Sequence, residues 1–249
     1  MRTIILTGLM FMSLLQAGCT NNVRQSERNK VDDPINVMIE ESADDDSIYY
    51  LCSEKFKSLI VNPDDKHFFD LENDFFYTDE YSEFLLYSLV AANKLGLDVA
   101  KIRVACCLTE SLSNPDIGKN SKKIALLYLN NGKFITKHKR GKQIIERLES
   151  SSKEDIDLIT PKITSKSSVI QRLKAGSLKG SVDDYKSLKE KLYNDKKYAF
   201  LLYYSYIMAD RYDYLPAKKD VIAIITRFYK ENGLGSLDKD TKYFCSFFE

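Results

Sequence analysis

The sequence predicts an all-α domain in which helix-turn-helix repeats stack as an α-solenoid. Three observations support this prediction. Apolar residues recur at helical spacing from Ser47 to the C-terminus. Few stretches alternate strictly between apolar and polar residues, so little β-strand is expected. Finally, residues 81–109 align without a gap on residues 198–226, and such internal repetition is typical of repeat architectures.

The first eighteen residues, 1–18, have the pattern of an export signal. Arg2 supplies a positive charge, and residues 4–15 form an apolar run that is too short to span a bilayer core of about 30 Å. The run leads into Leu-Gln-Ala-Gly-Cys at 15–19, which resembles the lipobox of bacterial lipoproteins, with Gln16 in place of the usual aliphatic residue. The resemblance implies that Cys19 becomes the lipid-modified first residue. The alternative is an ordinary cleaved signal followed by an incidental cysteine.

Residues 19–46 are polar, poor in aromatics and interrupted by Pro34. This composition predicts a flexible tether. By resemblance to enterobacterial lipoproteins, Thr20 after the lipidated cysteine implies sorting to the outer membrane, with the domain in the periplasm. The remaining residues, 47–249, are long enough for one helical-repeat domain with a substantial core.

The charge of the chain limits the class of partner. It carries 37 basic and 36 acidic residues, and 44% of its residues are hydrophobic. The hydrophobic content is too high for a disordered chain. A general nucleic-acid binder would be basic, so the near-neutral charge disfavours that class.

The boundaries of the helices follow from turn-forming residues. We expect the first helix of the domain to begin at a Ser47 cap and to end at Asn-Pro-Asp-Asp, residues 62–65. The same kind of signal predicts further breaks at 114–116, 130–132, 160–161 and 232–233.

The repeat is the most informative feature of the domain. Small residues near a helix end and the next helix start would let two helices approach closely, and each pair would leave an apolar face for the next pair to cover. The identical positions of the two copies are Tyr81/Tyr198, Leu85/Leu202, Tyr87/Tyr204, Ser88/Ser205, Ala92/Ala209, Ala100/Ala217, Lys101/Lys218, Val104/Val221 and Thr109/Thr226.

A second motif lies near the C-terminus. The sequence from Tyr229 to Asp240 resembles the loop between successive helix pairs of Sel-one-like repeats, which are relatives of tetratricopeptide repeats. Gly233 and Gly235 would supply the dihedral angles that a helix end needs. The resemblance covers about residues 80–248, with Ser236 in place of the usual valine. It implies a scaffold or adaptor without catalytic residues.

Four cysteines follow Cys19, namely Cys52, Cys106, Cys107 and Cys245. In an oxidising periplasm an even number favours disulfide pairing. The alternative is that all four are small buried apolar residues. No Cys-x-x-Cys or Cys–His spacing occurs, so neither a metal site nor a cofactor is expected.

The two histidines, His67 and His138, lie in no recognisable nucleophile motif, and solvated loop positions are expected for both. A Cys–His hydrolase would have to be assembled by folding from distant residues. The sequence does not require it, and we expect no enzyme.

Charge is unevenly distributed along the domain. Residues 64–83 contain eight acids and one base, and residues 119–142 contain eight bases and no acid. The two blocks are interpreted either as solvated helix faces or as a polarised surface that steers a charged partner, and the basic block could also rest on anionic headgroups. The residues assigned to a partner surface are Asp70, Glu72, Asp74, Lys133, Lys137 and Arg140.

The sequence therefore predicts an outer-membrane-anchored periplasmic lipoprotein that binds another protein. One form of this hypothesis is an immunity protein that neutralises an effector of type VI secretion, by analogy with small lipoproteins that carry similar repeats. The alternatives are an envelope hydrolase with a cysteine nucleophile and an envelope assembly factor.

Overall fold

The computed structural model describes residues 45–76, 81–109, 120–131, 164 and 167–249. These ranges hold ten α-helices and no strand, which confirms the predicted all-α class. The helices are α1 (Asp45–Val61), α2 (Asp65–Phe76), α3 (Leu85–Asn93), α4 (Asp98–Thr109), α5 (Ser121–Asn131), α6 (Val169–Leu178), α7 (Val182–Asn194), α8 (Tyr198–Asp210), α9 (Leu215–Glu231) and α10 (Lys239–Cys245). One 3-10 turn, Tyr81–Phe84, leads into α3.

Residues 51–249 belong to one compact unit. The predicted signal peptide, Cys19 and the tether up to residue 44 lie outside the described residues. Helix α1 begins at Asp45, before the predicted cap at Ser47, so the last residues assigned to the tether are helical. Among the described segments, no helix combines the length and the apolar content needed to cross a bilayer.

The described domain consists of two similar halves, which we define as α1–α5 and α6–α10. The second copy of the sequence repeat lies 117 residues after the first. The same distance of 117 residues separates the start of the 3-10 turn from the start of α8. It also separates the start of α4 from that of α9, and the start of α2 from that of α7. The structural repeat therefore extends beyond the aligned sequence segments to the preceding helix. The predicted stacking of these helix pairs as a solenoid stays a prediction.

The same backbone turn joins the two repeat helices in both halves. Gly96 has a φ of +74° and its counterpart Asp213 has a φ of +55°. The left-handed conformation is one that glycine adopts readily and that aspartate tolerates. Equivalent hydrogen bonds close the turn, from the Leu97 N–H to the Ala91 carbonyl at 2.9 Å and from the Tyr214 N–H to the Met208 carbonyl at 3.0 Å.

Equivalent side chains start the second helix of each half. Asp64 accepts a hydrogen bond from the His67 N–H at the start of α2. Ser181 accepts one from the Asp184 N–H at the start of α7. Such caps satisfy backbone donors that have no partner inside the helix.

The core is built around α3 and α8, which pack against each other. Every residue of α8 is buried, and so is α3 from Leu85 to Ala92. A helix that is apolar on all sides is expected in the middle of a domain. The small residues at the repeat turns, Ala92, Ala100, Ala209 and Ala217, are all buried.

Aromatic rings join the halves around these two helices. The Phe56 ring of α1 lies 5.0 Å from the Tyr87 ring of α3 and 5.1 Å from the Phe228 ring of α9. The Phe75 ring of α2 meets the Phe200 ring of α8 edge-on at 5.8 Å. Because large rings bury much apolar area, these contacts stabilise the association of the halves.

The last helices of the two halves have matching buried positions, although α5 packs on α4 and α10 packs on α3. Helix α5 covers α4 through Ala125 and Leu129. Each of four buried residues of α5 has a buried counterpart 120 residues later, in α10 or just after it. The pairs are Ser121/Thr241, Ile124/Phe244, Ala125/Cys245 and Tyr128/Phe248.

The loop before α10 has the predicted conformation, since Gly233 and Gly235 have φ angles of +65° and +75°. The Tyr229 hydroxyl donates a hydrogen bond to Asp238 at 2.7 Å. Asp238 also caps α10 by accepting from the Thr241 N–H at 2.8 Å. The aromatic residue and the acid of the motif thus hold the two ends of the loop together.

Candidate functional site

The three acids assigned to a partner surface lie on α2 in different environments. Asp70 is exposed, and its carbonyl accepts a hydrogen bond from the Lys55 ammonium at 3.0 Å. Asp74 forms an ion pair with the same Lys55 at 2.5 Å. Of the three acids, only Asp70 is an exposed residue.

Glu72 does not belong to that surface. Its side chain is 4% exposed and forms an ion pair with Arg103 of α4 at 2.5 Å. Its assignment from the sequence is corrected for a physical reason. On α2, position 72 shares a buried stripe with Phe68, Leu71 and Phe75, and a charge there needs an internal partner.

The three bases assigned to a partner surface, Lys133, Lys137 and Arg140, lie outside the described residues. The same is true of His138. His67 is half-buried at the start of α2, where its Nδ1 lies 2.7 Å from an Asp64 carboxylate oxygen. The sequence predicted a solvated loop position, whereas His67 lies within α2 and its ring contacts the carboxylate that caps the helix.

All four cysteines of the domain are buried thiols, and no disulfide joins them. Cys106 faces Ala125 and Leu129 of α5, whereas the Cys52 sulfur lies 4.0 Å from the Asp74 carboxylate.

Burial raises the pKa of every one of these thiols. It raises the pKa of Cys52 to about 12, with a further contribution from Asp74, and that of Cys245 to about 11. The pKa values of Cys106 and Cys107 are raised by the same cause. A nucleophilic cysteine needs a lowered pKa and access to substrate, and these side chains have neither.

A buried ion pair crosses between the halves, and the sequence reasoning missed it. Lys174 of α6 and Glu83 of the 3-10 turn are each about 1% exposed, and their charged atoms are 3.1 Å apart. The Tyr204 hydroxyl of α8 donates to Glu83 at 2.6 Å, and the Lys174 ammonium lies 5.7 Å from the centre of the Phe200 ring. One pattern in the sequence could have revealed the buried lysine. Ile170, Lys174 and Ser177 recur at helical spacing, which places Lys174 on the buried face of α6.

A second buried cluster surrounds Asp210 at the end of α8. Its carboxylate accepts hydrogen bonds from the Ser121 N–H at 3.1 Å and the Ser121 hydroxyl at 3.0 Å. It also accepts from the Tyr206 hydroxyl and from the backbone and side-chain amides of Asn120. A carboxylate at the positive end of a helix is favourable, and this one caps α5.

Asn93 is the residue of the first half that corresponds to Asp210, and it makes an equivalent contact. Asn93, at the end of α3, donates to the Thr241 hydroxyl of α10 at 3.2 Å and to the Tyr128 hydroxyl at 2.8 Å. Each half therefore uses the end of its central helix to hold the last helix of the other half. Such reciprocal contacts are the mark of a two-fold, self-complementary association.

A third cluster holds α7 against α8 and α9. The Tyr185 hydroxyl bonds to Ser205 at 2.9 Å and donates to Asp220 at 2.8 Å, and Lys189 forms an ion pair with Asp220 at 2.6 Å. Hydrogen bonds and ion pairs join the buried polar groups within each of these three clusters, which is the arrangement of a structural network.

The Tyr-rich helices do not supply exposed anchors, because α8 is buried throughout. The turn that follows α8 does present exposed side chains. We define the α8–α9 corner as residues 211–215. In the corner, Tyr212 is 37% exposed and Leu215 is 60% exposed, and the Arg211 guanidinium lies 5.9 Å from the centre of the Tyr212 ring.

The corner rests on a rigid base. The Tyr212 hydroxyl donates to the Leu178 carbonyl at 2.7 Å. Its ring packs so closely on Gly180 that a Cβ added there would lie 2.6 Å from a ring carbon. Lys218 and Asp213 form an ion pair at 2.6 Å beside it. The arrangement can present an apolar and an aromatic side chain to a partner without ordering a loop.

Within the described ranges, no group of three or more His, Cys, Asp or Glu side chains is placed to hold a metal ion. No protein-family model, curated protein or solved structure matches the chain.

Proposed function

We propose that the chain is a lipid-anchored envelope protein that binds another protein in the periplasm through the surface of its helical domain. The observation that carries the proposal is a contrast between buried and exposed groups. The buried acids and tyrosines of the described clusters hydrogen-bond within those clusters, and the four thiols are buried. In contrast, the α8–α9 corner offers Tyr212 and Leu215 to solvent on a fixed base.

The composition of the corner supports a protein partner. Tyrosine and arginine are enriched among the residues that contribute most to protein–protein binding, and Arg211, Tyr212 and Leu215 lie together in sequence. Rigid support lowers the entropic cost of binding. Asp70 on α2 adds an exposed carboxylate for a basic partner.

The proposal includes a lipid anchor at Cys19 and a location at the outer membrane. The resemblance to Sel-one-like repeats is proposed for the helix pairs α3–α4 and α8–α9, and with it a solenoid-like stacking of these two pairs. The favoured partner is a toxin delivered by type VI secretion, which the chain would neutralise as an immunity protein.

The test is affinity purification of the tagged full chain from detergent-solubilised membranes. We expect one protein to co-purify, and Tyr212→Ala combined with Leu215→Ser to reduce its recovery about tenfold or more, since truncation of such anchors costs about 2 kcal/mol. Val61→Ala, which changes an exposed aliphatic residue of α1, is the matched control.

Two results would refute the proposal. One is that no protein co-purifies from cells in which the gene and its neighbours are expressed. The other is equal recovery with the corner variant and the control. For the immunity form, the chain must also protect cells against the product of a neighbouring effector gene. Metabolic labelling with a fatty acid, lost on Cys19→Ala, tests the anchor separately.

A further inference from the structure

The last helices of the two halves meet at the surface through two aromatic rings and a lysine. The Tyr243 ring of α10 lies edge-on to the Phe247 ring, with 5.4 Å between the ring centres. The Lys123 ammonium of α5 lies 5.1 Å from the centre of the same Phe247 ring. We define the α5–α10 patch as these three residues together with Lys242 and Ser246, which are exposed and adjoin them in sequence.

The core uses other rings of the same segment. The Phe244 ring stacks on the Tyr206 ring at 6.3 Å, the Phe248 ring meets Tyr206 edge-on at 5.6 Å, and both phenylalanines are buried. In contrast, Tyr243 is 47% exposed and Lys123 is exposed. Single exposed apolar residues are common on proteins, but two rings in contact with a lysine form a continuous amphipathic surface. This surface is available to a ligand.

The charge of the two helices is mainly basic. Helices α5 and α10 together carry four lysines and one acid, Asp240, and a further acid, Glu249, follows α10. Asp238, just before α10, is occupied in the cap of that helix. Helix α5 also belongs to the block of residues 119–142, which contains eight bases and no acid. The charge therefore favours a ligand that is negatively charged.

The side chains of the patch suit the headgroup region of a bilayer. A tyrosine can place its ring at the boundary of the acyl chains with its hydroxyl in water, and a lysine can extend its ammonium along an apolar stem to a phosphate. Anionic membranes attract lysines that lie near their surface. An acidic protein would also match the charge, but the proposed anchor at Cys19 keeps the domain beside a bilayer.

The segment between Cys19 and α1 is long enough for such a contact. Residues 19–44 form a chain of twenty-six residues, which can span at most about 90 Å. A domain of about 200 residues has a radius of gyration of about 16 Å. An anchored chain of this length therefore lets any face of the domain turn towards the membrane.

We propose that the α5–α10 patch binds the surface of an anionic phospholipid bilayer and so sets the orientation of the domain on the membrane. The inference rests on the proposed envelope location of the chain. Tyr243 and Phe247 enter the headgroup region, and Lys123 and Lys242 contact lipid phosphates. The anchor holds the chain at the membrane, whereas the patch determines which face of the domain lies on it.

The experiment holds the full chain on vesicles without using the anchor. A chain with an N-terminal His tag and Cys19→Ser is bound to nickel-chelating lipid, and Ser246→Cys takes a fluorescent label, because the four thiols of the domain are buried. Contact is measured as quenching of the label by phosphatidylcholine that carries a doxyl group near its headgroup. We expect quenching on vesicles that contain phosphatidylglycerol, and at least about fivefold less on vesicles of phosphatidylcholine alone.

Two variants of the labelled chain test the patch. Lys123→Glu with Lys242→Glu is expected to lower the quenching on phosphatidylglycerol vesicles at least about fivefold. The matched control, Lys186→Glu with Lys191→Glu, makes the same change of charge at exposed positions of α7 and is expected to stay within about twofold of the parent chain. Circular dichroism checks the helical content. Glutamine replaces glutamate in the patch variant if that chain is not helical.

Three results would overturn the proposal. The first is no quenching on vesicles that contain phosphatidylglycerol, and the second is equal quenching in the patch variant and the α7 variant. The third is a co-purified protein whose recovery depends on Lys123 and Lys242 while the label is not quenched, since the patch would then bind a protein. Because nickel lipid replaces the acyl chain, these results do not depend on the anchor, which fatty-acid labelling tests separately.

Discussion

The carboxylate of Asp210 caps the helix that begins at Ser121, although the two residues belong to different halves of the domain. The acid ends α8, whereas the serine begins α5. Five donor groups converge on this one carboxylate, and two of them are backbone N–H groups that the helix itself cannot satisfy. A single side chain thus fixes the position of α5 on the second half.

Asp210→Ala is expected to lower the free energy of unfolding by about 3 kcal/mol, because it leaves several buried donors without an acceptor. Urea unfolding followed by circular dichroism measures the loss. Asp195→Ala, at an exposed position after α7, is the control and should cost less than about 0.5 kcal/mol. Equal losses in the two variants would contradict the capping role.

Lys174→Met and Glu83→Leu are each expected to cost about 3–5 kcal/mol, because each leaves one buried charge without its partner. The double variant should cost much less than the sum of the two, since it removes both charges. Unfolding free energies of the four proteins complete the cycle. Additive losses would show that the two charges do not interact in the folded chain.

Gly180→Ala is expected to destabilise the domain more than Gly96→Ala. Both glycines have positive φ, so alanine costs about 1–2 kcal/mol at either position. At Gly180 the new Cβ also meets the Tyr212 ring, whereas at Gly96 nothing lies within 4 Å. The difference between the two variants should shrink when Tyr212→Ala is added. An unchanged difference would mean that the ring does not pack on Gly180.

The pH dependence of stability is expected to include a contribution from Asp238. Partial burial acts to raise its pKa, but hydrogen bonds from Thr241 and Tyr229 lower the pKa below the usual value of 3.8. A lowered folded pKa stabilises the protein above the unfolded pKa, and this stability disappears as the pH falls through the folded value. Urea midpoints between about pH 5 and pH 2 should fall less steeply for Asp238→Asn than for the wild type. Parallel curves would argue against the shift.

The thiols of the folded domain are expected to resist alkylation. With a pKa of about 12, Cys52 at pH 8 has a thiolate fraction about a thousandfold below that of an ordinary cysteine. In the full chain with Cys19→Ser, modification by iodoacetamide should be slow until urea unfolds the protein, as mass spectrometry of peptides would report. Rapid modification of any one cysteine in the native state would revive the hydrolase hypothesis.

Local patterns in the sequence predicted the helical class, the repeat turns and the glycine-rich loop before α10. These features depend on residue spacing and on backbone conformations that few residue types adopt, as at Gly233 and Gly235. The sequence also located the acidic block at residues 64–83, but it placed Glu72 on a surface.

The remaining features depend on contacts between distant residues, which spacing alone does not specify. Lys174 and Glu83 lie far apart in sequence, and nothing local pairs them. Likewise, the complete burial of α8 follows from the helices that surround it, whereas its tyrosines alone would also suit a binding surface. The position of Tyr212 in the corner depends on its contacts with Leu178 and Gly180 at the end of α6, which its own sequence neighbours do not specify.

The matching left-handed residues Gly96 and Asp213 have a consequence for protein engineering. One copy of the turn has a glycine, and the other holds the same conformation with an aspartate. The two copies thus share the path of the main chain at this position and differ in the side chain. Exchanging such positions between the copies, one at a time, would therefore compare two residue types on one backbone path within a single molecule.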